Sequence, residues 1–199
     1  MWVVRAIFAL DGIRTRPHCL PMRVAAILLA AGTGSRYAAT TGSPLPKQYV
    51  LLAGRPVIRH AAEALLPYVA CIQPVGDTLS LSEALDGLAV LAPVAGGGTR
   101  QASVRAGLEA LDRLPPEQKP DLVLVHDGAR PYLTPALIRN VVEALDAHPR
   151  AIPAVPVAAT LKRGQAGVID GTVSPHHLSP PPPPPAFRLP VFPVLPPPL

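Results

Sequence analysis

From residue 22 onward, short unbroken apolar runs alternate with segments whose apolar residues recur every three or four positions. The run 24–30 (Val-Ala-Ala-Ile-Leu-Leu-Ala) has the pattern of a strand buried on both faces of a parallel sheet. Residues 56–66 predict a helix, with Pro56 at its first turn and Pro67 closing it. Residues 69–72 and 88–91 predict short strands, with a short helix over 82–88. Val104, Leu108 and Leu111 stand at helical spacing within 100–114, behind Thr99 as a cap. Residues 122–125 give the clearest buried strand. Thr134-Pro135 then opens a helix carrying Leu137, Ile138, Val141, Val142 and Leu145, and 151–157 read as extended. Strands separated by helices predict an α/β fold, Rossmann-like, with a mainly parallel sheet. Ligands of such sheets bind beyond the carboxyl ends of the strands, so the loops there are where chemistry is sought.

Composition changes the picture at the two ends. The chain has 199 residues, 49% of them hydrophobic, enough for one domain. Proline is unusually common at 28 residues, and Pro175, 180–185, Pro190, Pro193 and 196–198 crowd the end. A stretch without backbone donors is a poor sheet or helix former, so the folded part is expected to lie within 22–174. Residues 175–199 are then a disordered tail in which the six successive prolines favour polyproline II. Residues 1–21 join a short apolar run to Asp11, Arg14, Arg16 and Pro17 without a cleavage site. They are expected to stand outside the fold, as an extension upstream of a start at Met22.

Charge and cysteine content exclude some functions. The net charge is +5, but Arg5, Arg14, Arg16 and Arg188 supply four of the 18 cations, against Asp11 alone among the 13 acids. A nearly neutral body argues against nucleic-acid binding. No apolar run is long enough to span a bilayer. Two cysteines without metal-ligand spacing point to a reducing, cytoplasmic setting.

Candidate chemistry begins directly after the first strand, at Ala30-Ala31-Gly32-Thr33-Gly34-Ser35-Arg36. Glycines let the backbone approach a phosphate with its amides inward, and Arg36 adds a planar, permanently charged fork. The loop is not a Walker loop, since Gly-Lys-Ser/Thr is absent. By itself it is also compatible with a glycine turn beside a surface arginine. Lys47, in Pro44-Leu-Pro-Lys-Gln-Tyr49, sits where restricted backbone freedom can aim an ammonium, although a lone exposed lysine is ordinarily a solvated charge.

Taken together, Ala-Ala-Gly-x-Gly-x-Arg, Pro-Lys-Gln-Tyr and Leu-x-Gly-x-Pro-Val (Leu52, Gly54, Pro56, Val57) resemble the 2-C-methyl-D-erythritol 4-phosphate cytidylyltransferases. Gly96-Gly-Gly-Thr-Arg-Gln-Ala-Ser-Val-Arg-Ala-Gly-Leu108 and Val125-His-Asp-Gly-Ala-Arg-Pro131 resemble two further family blocks, and Pro156-Val-Ala-Ala-Thr-Leu-Lys162 a weaker one. The resemblance covers about residues 22–174. It implies that Ala30, Ala31, Gly32 and Gly34 wrap the triphosphate of CTP, and that Arg36 and Lys47 are catalytic, stabilising charge at the α-phosphate. It implies nucleotide contacts for Gly97, Gly98, Ser103 and Gly128, and Mg²⁺ as cofactor on Asp127. Thr160 and Lys162 fall on the side of the sugar-alcohol phosphate substrate. Family members are homodimers joined by an extended arm, which residues 151–171 match. The block 94–101 is similar to forms fused to a cyclodiphosphate synthase.

Two departures stand against this. Ala159 replaces a family aspartate, and beyond Ser174 the family's Leu-Trp-x-x-Gln-Thr-Pro-Gln segment and later motifs are not recognisable. The sheet is therefore expected to be incomplete at its C-terminal end and turnover poor, which leaves a non-catalytic fragment as one alternative. The other is the ribitol 5-phosphate cytidylyltransferases, which share the glycine loop and the lysine motif.

Overall fold

The apolar run that opens the pattern forms a fully buried six-residue strand, and the rest of the sheet is laid down on either side of it. The computed structural model describes residues 3–5, 22–32, 37, 39–40, 42, 45–154, 161–165, 168–173 and 184–189. In chain order the elements are β1 (Val3–Arg5), β2 (Val24–Leu29), β3 (Leu51–Leu52), β4 (Arg55–Pro56), α1 (Val57–Leu65), β5 (Cys71–Gly76), α2 (Thr78–Ala84), β6 (Val94–Ala95), α3 (Arg100–Asp112), β7 (Leu122–Asp127), α4 (Pro135–Ala147), β8 (Arg150–Ala154), β9 (Leu161–Gln165), β10 (Val168–Val173) and β11 (Ala186–Arg188). Seven strands share one sheet in the order β1-β8-β11-β7-β2-β5-β6. The half from β7 to β6 is parallel.

Both faces of that half are covered, as its continuous apolar strands require. Ala26 and Leu28 pack with Ile58, Leu81 and Ile138 of α1, α2 and α4. Ala25, Ile27 and Leu29 pack on the other face with Val104 and Leu111 of α3. Thr99 and Thr134 cap α3 and α4 as read from the sequence, accepting from the amides of Ala102 and Leu137.

Three local expectations shift. The strand expected at 69–72 runs over Cys71–Gly76, straight through Pro74. The carbonyls of Ile72 and Gly76 accept from Leu91 and Gly96, so Pro74, in phase with them, turns its donor-less nitrogen toward 91–93. That segment is bridged instead by the buried Gln73 side chain, donating to the Ala92 carbonyl (2.9 Å). The strand expected at 88–91 is accordingly absent, and β6 pairs only at Val94 and Ala95. The helix expected at 82–88 starts earlier, because Asp77 accepts from the Ser80 amide (2.9 Å) and caps α2.

The boundaries at both ends need correction. Ala186–Arg188, inside the segment expected to be a disordered tail, inserts antiparallel between β7 and β8. Prolines surround it, but Ala186-Phe-Arg-Leu189 contains none, so its donors are intact. Pro185 contributes what a proline can, its carbonyl accepting from Val125 (2.9 Å). Ala186 is fully buried and Phe187 packs on the α3 face. The Arg188 guanidinium donates to the Leu145 carbonyl at the end of α4 and lies 3.6 Å from Asp146. Residues 3–5, expected outside the fold, pair antiparallel with β8, Val3 opposite Ala154. The fold therefore reaches beyond 22–174 in both directions.

Candidate active site

Parallel pairing brings the carboxyl ends of β2, β5, β6 and β7 to one edge, and small residues let their loops close on each other. Leu29 lies opposite Asp127, and the Gly128 amide donates to the Leu29 carbonyl (2.8 Å). The Ala30 amide donates to Val75 (2.7 Å), and Gly96 donates to Gly76 (3.1 Å). A Cβ on Gly76 would lie 2.9 Å from the Ala30 carbonyl carbon, and one on Gly96 would lie 2.3 Å from the Ala31 Cβ. Gly32 and Gly98, by contrast, face open space, leaving room above the two turns.

The lysine motif is fastened to the glycine loop by the residue after the lysine. Gln48 is buried, and its Nε2 donates to the carbonyls of Ala30 (2.8 Å) and Gly32 (3.1 Å). Its own carbonyl accepts from Ile58, and the Val50 carbonyl accepts from Val57 (2.9 Å each), so the turn is also pinned to the start of α1. Lys47 is thereby exposed beside the loop. A concave space of about 580 Å³ opens between residues 30–32, this turn and the start of α2. Tyr49 lines it with Asp77, Ser80 and Glu83. Burial, then the Asp77 carboxylate, push the Tyr49 phenol up to about 12, so it stays a neutral hydroxyl. Its oxygen is shielded from solvent without a well-formed hydrogen bond.

Asp127 stands at the end of β7 between two guanidiniums, Arg100 at 3.1 Å and Arg130 at 3.3 Å. The first ties the start of α3 to the strand end. The neighbouring His126 is buried and donates from Nε2 to the Arg130 carbonyl (2.8 Å), which fixes the turn carrying Asp127. Burial first of all pushes its imidazole below the usual histidine range, and Nδ1 has no partner. Ser103 is buried too, with its hydroxyl spent on the glycine turn: it accepts from the Gly97 amide (3.1 Å) and lies 3.0 Å from the Thr99 carbonyl. That makes it a brace of the turn.

Among families, the model for "IspD: 2-C-methyl-D-erythritol 4-phosphate cytidylyltransferase" matches residues 24–193. The chain belongs to the IspD family. A protein of Gluconobacter oxydans named "Bifunctional enzyme IspD/IspF" is 53% identical over 76% of this chain and 39% of its own length. One of the same name from Granulibacter bethesdensis is 49% identical over 85% of this chain and 43% of its own. The chain thus spans about two fifths of the length of these curated relatives. The crystal structure of 4-diphosphocytidyl-2C-methyl-D-erythritol synthase from Anaerococcus prevotii superposes with a TM-score of 0.67 at 25% identity, covering 84% of this chain and 70% of that one.

The IspD match runs past Ser174 to residue 193 and includes β11, in agreement with the sheet and against the expected boundary. Of the expected site residues, Ala30, Ala31, Gly32, Lys47, Gly97, Gly98, Ser103, Asp127 and Gly128 lie on this edge. Gly34, Arg36 and Thr160 lie outside the described residues, and Lys162 falls on β9, opposite Thr172. Gln48, Arg100 and His126 are connections that sequence reasoning missed. Each adjoins or shares a motif already singled out, but a buried amide or imidazole acting on backbone carries no signature of its own. Among the described residues no three His, Cys, Asp or Glu side chains form a metal cluster, and no helix is long and apolar enough to cross a membrane.

Proposed function

We propose that this chain transfers the cytidylyl group of CTP to 2-C-methyl-D-erythritol 4-phosphate, releasing pyrophosphate, in isoprenoid precursor synthesis. An oxygen of the substrate phosphate attacks the α-phosphorus, the bond to the β-phosphate bridging oxygen breaks, and that oxygen leaves with pyrophosphate. The observation that carries the reading is the fastening of the lysine turn to the glycine loop, on the edge that also bears Asp127 and the 96–98 turn. Loop amides and the Lys47 ammonium supply positive charge where it develops at the α-phosphate, the main requirement of phosphoryl-type transfer. Arg36, by the family motif, adds a second cation. Gly98, open on its Cβ side, lets base and ribose lie against backbone, while Gly97 and Gly128, packed against Ala102 and Ile58, would meet the nucleotide through their backbone groups. Ser103 holds the turn in shape. Thr160 and Lys162 serve the acceptor phosphate.

The partly exposed Asp127 carboxylate at a strand end would hold a hard cation of the Mg²⁺ kind together with the triphosphate oxygens, once the Arg100 and Arg130 guanidiniums that now take its two oxygens give way to it. Bound there, the ion would supply neutralisation of phosphate charge. The exposed Val168 and Ile169 of the β9–β10 hairpin support assembly as a homodimer, covered by a second copy. Free Cys71 accords with a cytoplasmic setting. Pyrophosphate release from the full chain with CTP, Mg²⁺ and methylerythritol phosphate tests the reading. Lys47→Ala is expected to lower kcat/KM by roughly 10²–10³-fold without moving the melting temperature. Turnover with ribitol 5-phosphate in preference to methylerythritol phosphate would overturn it.

A further inference from the structure

We infer that Gln48 is a positioning residue of the nucleotide site: its side-chain amide sets the shape of the triphosphate loop and couples that shape to the placement of Lys47. The inference rests on the cytidylyl-transfer reading for its kinetic consequences, but its geometry is independent of it. Gln48 is 3% exposed, in a part of the chain that is otherwise a surface turn. Both its contacts are backbone carbonyl oxygens, Ala30 at 2.8 Å and Gly32 at 3.1 Å. Two acceptors can be met only by the NH₂ end of the amide, which has two protons to give, so the orientation is fixed by chemistry.

The carbonyls of residues 30 and 32 have no strand partner to take them, since β2 ends at Leu29. The Ala30 amide is given to Val75 (2.7 Å), but the Ala31 amide, anti to the Ala30 carbonyl in the same planar peptide, faces away from Gln48 and can be presented to a phosphate. A phosphate cradle requires this arrangement, because a carbonyl facing the triphosphate would repel it. The same side chain belongs to the residue next to Lys47, whose carbonyl is held by Ile58 (2.9 Å). Loop and lysine therefore cannot shift independently. Glutamate at this position would face two carbonyl oxygens with a carboxylate and could donate only when protonated. Leucine would fill the space and satisfy neither oxygen.

The test uses Gln48→Leu and Gln48→Glu in the full chain. Hydrogen exchange over residues 30–32, with the Ala30 amide held by the Val75 carbonyl, reads the loop without any need for activity. It is expected to speed up by roughly tenfold or more in Gln48→Leu, the effect of leaving buried acceptors unmet, while the amides of β7 exchange as before. Calorimetric CTP affinity is expected to weaken by a similar factor, and KM for CTP to rise more than KM for methylerythritol phosphate. Gln48→Glu is expected to recover part of its activity, relative to the parent, between pH 8 and pH 6. If Gln48→Leu only lowers the melting temperature, with loop exchange and CTP affinity unchanged in folded protein, the inference is wrong. If the loop loosens but the parent chain itself neither binds CTP nor releases pyrophosphate, the positioning role stands and the cytidylyl-transfer reading falls.

Discussion

The two halves of the central sheet are built by opposite means. From β7 to β6, each strand is followed by a helix or loop that returns to a nearby position, and the strands pair in parallel. From β1 to β11, the strands come from residues 3–5, 150–154 and 186–188, and every pairing is antiparallel. The parallel half gathers its loops at one edge and makes a site. Among the described residues, none of the other half lines the concave space, yet that half closes the open flank of β7, the strand that carries Asp127. Chemistry is thus drawn from the locally wound half and completeness from the half assembled over distance.

The sharpest way to break this division is to remove the distant half. Truncation after Ser174 deletes β11, with its pairings to β7 and β8 and the hold of Arg188 on α4. The loss is expected to approach the whole stability margin, about 5–15 kcal/mol for a typical domain. Circular dichroism and tryptic digestion of the truncated chain should show an unfolded or aggregated product. A cooperative melt near that of the full chain would contradict the role given to β11.

A smaller effect probes the edge where the loops meet. Gly76→Ala places a methyl 2.9 Å from the Ala30 carbonyl carbon, which is backbone and cannot swing aside. A cost of about 1–3 kcal/mol is expected from overpacking, together with weakened CTP binding if the proposed site is right, because the strain falls on the loop at 30–32. Denaturant titration measures the first and calorimetry the second. Arg188→Ala should cost less, about 1–2 kcal/mol, through lost hydrogen bonding at the end of α4, and should leave CTP affinity unchanged. An equal loss of affinity in both variants would erase the contrast between the halves.

The smallest effect is a pH dependence. His126 is held neutral by burial, so its folded-state pKa lies below the ordinary 6.5. The unfolded chain takes up the proton first as pH falls. The stabilisation is therefore complete above pH 6.5 and is lost progressively below it. Melting temperature measured from pH 7.5 down to 5 should fall, with a shallower slope in His126→Gln, which keeps a donor for the Arg130 carbonyl. Identical slopes in the two proteins would remove His126 as the cause.

The same division explains what could be read before the structure. β2, β7, α3 and α4 were legible because their burial repeats within a short window and Thr99 and Thr134 mark the helix starts. β5 was misplaced because Gln73 and Pro74 look like breakers, whereas one bridges to Ala92 and the other turns toward a segment with no ladder. β11 was missed because four proline-free residues vanish in a proline-rich stretch, and what makes them a strand is the free edge of β7, which is encoded elsewhere. At the site, the residues expected to meet ligand carry motif signatures, Ser103 among them, but that Gln48, Ser103 and His126 act as braces on backbone shows only in three dimensions.

The insertion of β11 also sets a timetable for synthesis. The strand belongs between β7 and β8, but its residues leave the ribosome some thirty positions after Ala154. At ordinary elongation speeds that gap lasts roughly 2–6 s. If the earlier strands have already paired, β7 and β8 stand through that interval with a strand-wide slot between them, and the Val125 amide lacks the partner that Pro185 later supplies. Such an open slot accepts any extended segment that reaches it, including one from a neighbouring nascent chain. Delivery of Ala186–Arg188 then seals the edge, so the order in which the codons are read, as much as the final contacts, governs how much of this protein arrives folded.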